Sequence, residues 1–174
     1  IQQPLSSLIV IAGPSGVGKG TIVKRLLEQD RFLWLSISTT TRARRPGEVE
    51  GVDYNFFDRA NFERVQAEGG FLESCEVFGH LYGTPRLPVE EHLAEGRDVL
   101  LEIDVQGAMK VRKAFPEAVL VFIRPPDREA QRERLAGRGR DDAVPIERRL
   151  RVAEQEEAMS THFDYVVLND DLDR

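Results

Sequence analysis

A five-residue apolar run, Leu8-Ile9-Val10-Ile11-Ala12, leads straight into Gly13-Pro14-Ser15-Gly16-Val17-Gly18-Lys19 and then into a segment of helical periodicity from Thr21 to Gln29. This junction restricts the possible folds more than any other feature of the chain. A short β-branched run without polar alternation reads as a strand buried on both faces, which is the habit of parallel sheets. The glycines that follow let successive backbone N–H groups point inward, and Lys19 adds a positive charge where the dipole of the next helix already favours anions. In this strand-loop-helix context the loop holds a nucleotide triphosphate; the plainer alternative is a glycine turn with no ligand. The triphosphate candidates are Gly13, Pro14, Ser15, Gly16, Val17, Gly18, Lys19, Gly20 and Thr21. The strict pattern wants a hydroxyl directly after the lysine to hold Mg²⁺, yet Gly20 stands there. That departure leaves magnesium to phosphates and water, an arrangement suited to an ion that dehydrates reluctantly, and turns Thr21 toward a phosphate.

Two further apolar runs, residues 99–104 and Leu120 to Ile123, are each followed by a helical pattern, and Tyr165 to Leu168 supplies a last strand. The expected fold is α/β: a parallel sheet of the P-loop NTPase type flanked by helices, with its ligand at the carboxyl ends of the strands. Glu102 and Asp104, two apart on one strand, are expected to share a face. They are either partners of a cation or solvated strand-end acids; Glu102 is the candidate to orient Mg²⁺ through water, and Asp104 faces either the lysine or a second substrate. Between residues 36 and 85 the strands become shorter and more polar, as in Tyr54 to Phe57 and Phe71 to Phe78, which marks an inserted lobe. Within it Asp58 caps a helix that stops at Gly69-Gly70. Residues 134–150 are rich in Gly, Arg and Asp ahead of a charged helix, the texture of a mobile flap. The expected layout is one domain over residues 1–174, with its core in about 5–35, 86–125 and 160–174, the lobe in 36–85 and a lid region in 126–159.

With 174 residues, 41% of them apolar, one core is expected without disulfides or a structural metal. The single cysteine, Cys75, cannot form an internal disulfide, and no apolar run approaches membrane-spanning length, so a reducing cytoplasmic setting and no membrane contact are expected. A net charge of −6 argues against general nucleic-acid binding. Yet nine arginines stand against six acidic residues between Arg124 and Arg151, and Arg42, Arg44 and Arg45 form a second cluster. Arginine concentrated in two places on an acidic chain suits a small polyanionic ligand.

The lobe carries residues 38–48, Ser-Thr-Thr-Thr-Arg-Ala-Arg-Arg-Pro-Gly-Glu, then Gly51-Val52-Asp53-Tyr54, Glu73 and Tyr82-Gly83-Thr84. In this order and after this loop, these elements resemble the guanylate kinase family over nearly the whole chain, about Leu8 to Asp171. The resemblance implies transfer of a phosphoryl group from ATP to GMP with Mg²⁺, and with dGMP as a possible acceptor. It makes the inserted lobe the monophosphate site, where Arg42, Arg45, Tyr54 and Tyr82 grip the phosphate. Ser38, Glu73 and Thr84 would read guanine, with Gly83 and Asp104 nearby. It also makes Arg134, Arg138 and Arg149 charge-neutralising arginines of a lid and places Asn169 near adenine; Lys19 and Arg42 complete the catalytic set. The chemistry agrees, because guanine presents two adjacent donors and an acceptor, so one carboxylate takes both donors while a hydroxyl serves O6. Two rivals share parts of the pattern: a catalytically silent scaffold module, which would have a degraded loop, and a kinase for a phosphorylated sugar or another nucleotide, which would lack the Ser38, Glu73 and Thr84 set.

Overall fold

Alternation along the first strand decides what lies on either side of the main sheet. In the computed structural model, which describes residues 5–138, 144–171 and 173 and only the backbone of residues 137 and 138, β1 (Leu8–Ala12) occupies the centre of a wholly parallel sheet. Its neighbours are β7 (Val99–Glu102) and β8 (Val119–Arg124), and the edges are β2 (Trp34–Leu35) and β9 (Tyr165–Leu168). Leu8, Val10 and Ala12 face one side and pack with Val105, Ala108 and Val111 of α4 (Val105–Ala114) and Val89 of α3 (Arg86–Ala94). Ile9 and Ile11 face the other, against Ile22, Val23 and Leu26 of α1 (Lys19–Gln29). Helices on both faces leave the strand ends as the place where loops converge, and every one of these parallel strands points its carboxyl end the same way.

The inserted lobe is a second sheet, in the order β4-β3-β6-β5, made of β3 (Thr39–Thr40), β4 (Asn55–Phe56), β5 (Phe71–Val77) and β6 (His80–Pro85). It has a small core of its own, in which Phe62 of α2 (Arg59–Ala67) stacks on Phe71 beside Leu81. As expected, Asp58 caps α2, accepting from the Asn61 N–H at 2.8 Å, and the chain leaves the helix through Gly69 at φ +73°.

After β8 come α5 (Arg128–Arg138) and α6 (Ile146–Ala158), joined by Arg128–Glu154 at 2.8 Å and Arg132–Glu147 at 2.5 Å. The centre of the expected flap, residues 139–143, and the side chain of Arg138 lie outside the described residues. One expectation changes: β7 ends at Glu102, and Asp104 does not continue it. Its carboxylate accepts from the Gln106 N–H at 2.8 Å and caps α4. A short acidic side chain beside an unpaired helix N–H does this in preference to extending a strand whose neighbour β1 has ended.

Candidate active site

The loop between β1 and α1 is held in shape from outside as well as by its glycines. Gly13, Gly16 and Gly18 have φ of 156°, 79° and 85°, and Gly18 is the left-handed residue that opens α1. Lys19 folds back so that its Nζ donates to the Gly13 and Pro14 carbonyls at 2.5 and 3.3 Å. The Val17 carbonyl accepts from Asn169 Nδ2 at 2.7 Å and from Arg134 Nη1 at 3.0 Å. Asn169 and Arg134 therefore meet at the loop. Their donors are directed at its backbone. A side chain at Gly20 would stand 3.6 Å from Glu102 Oε1, so that carboxylate comes to the start of α1.

In front of the loop opens a cleft with two chambers that share Ser15, Tyr54, Val77 and Tyr82. The outer chamber, about 530 Å³, is walled by guanidinium groups: Arg42, Arg44 and Arg45 from the lobe and Arg149 from α6. Arg42 is buried and forms a two-toothed pair with Glu48 at 2.7 and 3.1 Å, and its Cζ lies 5.2 Å from the centre of the Tyr54 ring. Tyr54 and Tyr82 both interact electrostatically with its charge. Burial disfavours its charge, but Glu48 and Tyr82 outweigh this and raise its pKa. Burial likewise opposes ionisation of Glu48, and the Arg42 hydrogen bond and Arg45 N–H overcome it to hold that carboxyl below its usual range. Tyr54 is pushed up to about 12, by burial first and then by Tyr82, so it stays a neutral donor.

The inner chamber, about 180 Å³, has the opposite character: Glu73, Glu102 and Asp104 line it, with Ser38 on the lobe side and Lys19 at the loop. Glu73 is buried on β5, and its Oε1 accepts from the Thr84 hydroxyl at 2.7 Å. Its Oε2 has no partner among the described residues. Burial is the main reason its pKa rises to about 7, with Thr84 and Lys110 pulling the other way. Thr84 thus holds the carboxylate rather than lining the chamber, and Gly83 faces the ring of Phe71, where a Cβ would come within 2.8 Å.

Three participants escaped the sequence reading. Glu156 of α6 comes close to Asp104, and burial followed by its interaction with Asp104 raises its pKa while Lys19 lowers it. Gln131 of α5 donates through Nε2 to the Ser15 carbonyl at 2.9 Å. Cys75 lines the inner chamber, its thiol pushed up to about 12 by burial and then by Glu73. Glu156 sits in a run of glutamates and Gln131 in a run of charges, so nothing in the spacing marks them. Arg44 was legible only as part of a cluster.

A charged cleft divided in this way can hold a base by its hydrogen-bonding edge at the acidic end and its phosphate at the basic end, within reach of a triphosphate on the loop. Comparison with known proteins gives the family. The guanylate kinase family model matches residues 6–174. A guanylate kinase of Thermus thermophilus is 55% identical over 166 residues, covering 95% of this chain and 75% of its own length. That of Synechococcus sp. CC9902 is 54% identical over 167 residues, covering 96% and 89%. The crystal structure of guanylate kinase from Anaplasma phagocytophilum superposes with a TM-score of 0.82 at 36% identity, covering 99% of this chain and 81% of that one. With a nucleotide loop, a divided cleft and a match along nearly its full length, the chain belongs to the guanylate kinase family.

Proposed function

We propose that this guanylate kinase carries out its reaction, ATP + GMP to ADP + GDP, with the base of GMP in the inner chamber, its phosphate in the outer one and ATP on the loop. The observation that carries this reading is the segregation of charge: buried carboxylate in the inner chamber, where Lys19 stands at the loop, and four arginines in the outer one. Glu73 has one oxygen held by Thr84 and one without a partner among the described residues, which suits the adjacent N1–H and N2–H₂ donors of guanine, and Ser38 lines the same chamber and can offer its hydroxyl to O6. Adenine offers a lone pair at N1 and no 2-amino group, so AMP would leave a buried carboxylate unpaired, a mismatch that discriminates by about 10⁴. Arg42, Tyr54 and Tyr82 form the phosphate grip, joined by Arg45, and Glu48 fixes the direction of the Arg42 fork.

The attacking oxygen is already ionised at neutral pH, so the protein supplies position and positive charge rather than a base. Charge in the transition state is spread over the moving phosphoryl group, and Lys19, Arg42, Arg149 and the lid arginines Arg134 and Arg138 are the groups that neutralise it. Guanylate kinases generally require a divalent metal, and the residues here fit magnesium. Gly20 gives the ion no hydroxyl, but Glu102 reaches the start of α1 and would orient it through water. When bound, Mg²⁺ would supply positive charge at the phosphates and so lower the charge that the arginines must balance.

The test is ADP formation with ATP, magnesium and each of GMP, dGMP, AMP, CMP and UMP. Turnover is expected with GMP, less with dGMP, and almost none with the others. Comparable rates with AMP and GMP would remove Glu73 from its role.

A further inference from the structure

A loop can offer its N–H groups to phosphates only while its carbonyls are turned away and satisfied elsewhere. Lys19 satisfies the first two carbonyls, of Gly13 and Pro14, and Asn169 and Arg134 satisfy that of Val17. The Ser15 carbonyl, at the crown of the loop, receives Gln131 Nε2 at 2.9 Å. Gln131 is 1% exposed. Among the described side chains of α5, an otherwise strongly charged helix, the buried ones are Gln131 and Leu135, one turn apart, and both press on the loop. A Cβ on Gly16 would lie 2.8 Å from Leu135 Cγ and 3.0 Å from the Gln131 carbonyl oxygen, so helix and loop touch without a gap. An apolar side chain would satisfy the helical pattern at this position as well. Burying an amide costs free energy unless it is hydrogen-bonded, so the residue is explained by the bond it makes.

We infer that Gln131 is a positioning residue for the triphosphate: its amide pins the Ser15 carbonyl outward, aims the loop's N–H groups at the phosphates, and ties the loop's shape to α5. This rests on the reading of residues 13–19 as the phosphate loop. When Lys19 turns to a bound phosphate it releases Gly13 and Pro14, and Gln131 and its neighbours then hold the loop open by themselves. The donor is needed in the loaded state, and its loss should be felt at the triphosphate site and not at the monophosphate site.

Gln131→Met keeps the length and volume of the side chain and removes the donor. Titration of the full chain with ADP in a calorimeter, and steady-state kinetics varying ATP and GMP separately, read the effect. The expected result is an ADP Kd and a KM for ATP raised about tenfold, with the KM for GMP within about twofold of the parent. Parent-like ADP binding would overturn the inference, and so would an equal rise in both KM values, which is what a general loosening of the fold gives. If the methionine variant does not fold, Gln131→Leu is read by the same two criteria. Failure of the phosphate-loop reading itself would appear differently, as a parent chain that does not bind ADP.

Discussion

In the proposed function Glu73 concentrates the specificity of the site in one group, and its burial carries a penalty that can be measured. Its folded pKa, about 7, lies above the ordinary 4.5 because the carboxyl is buried. A raised carboxyl pKa means that the folded state holds the proton more tightly than the unfolded state does. Its contribution to stability is therefore greatest below 4.5 and is lost as pH rises through 7. GMP needs the ionised form, so the KM for GMP should climb about tenfold per unit as pH falls below 7, while ADP binding follows a different profile. Glu73→Gln should raise the KM for GMP by about 10² while stabilising the fold at pH 8 by at most about 3 kcal/mol, the free-energy equivalent of the shift. A variant less stable than the parent at pH 8 would show that the carboxylate is not desolvated in the free site. Lys19 and its glycines could be read from spacing alone, because a phosphate loop leaves little freedom in residue type. Glu73 could be read only through resemblance, since a glutamate between Leu72 and Ser74 on a strand has many duller explanations. Glu156 and Gln131 could not be read at all: what distinguishes them is the way α6 crosses Asp104 and α5 meets the loop, and both are tertiary facts.

At the scale of elements, the turn between β5 and β6 breaks a local rule. Phe78 and Gly79 have φ of 49° and 81°, the two left-handed residues of a tight hairpin turn, and phenylalanine is poorly suited to the first. Its ring lies under Arg148 of α6, 5.8 Å from Cζ to the ring centre. Phe78→Asn should relieve the backbone by about 1 kcal/mol and raise the Tm by roughly 2–4 °C. A lower Tm would mean that the ring and its guanidinium contribute more than the strain costs. Elements with a period were legible: β1, β7, β8 and α1 each have enough residues to show one. β2 and β3 are two residues long and carry no pattern, and exist because β7 and β6 offer them edges. α3 was hidden by Pro88, which is harmless in the first helical turn, where its missing N–H would have no partner in any case.

On the scale of the whole molecule, the described residues contain no group of three or more His, Cys, Asp or Glu able to hold a metal, and none of their helices is long and apolar enough to cross a membrane. If magnesium enters with the phosphates, removing it with EDTA should abolish ADP formation and leave the melting of the ligand-free chain unchanged. A fall in Tm on chelation would reveal an ion built into the fold. The order of the strands has a consequence for how the chain is made. Leu8 pairs with Val99 and Ile9 with Val119, whereas the second sheet draws only on residues 39–85. On the ribosome the greasy strand that precedes the nucleotide loop emerges early and waits without neighbours while the lobe behind it can already close. During each round of synthesis, the stretch that later anchors catalysis is the one most open to sticking to other nascent chains, until translation has passed Arg124.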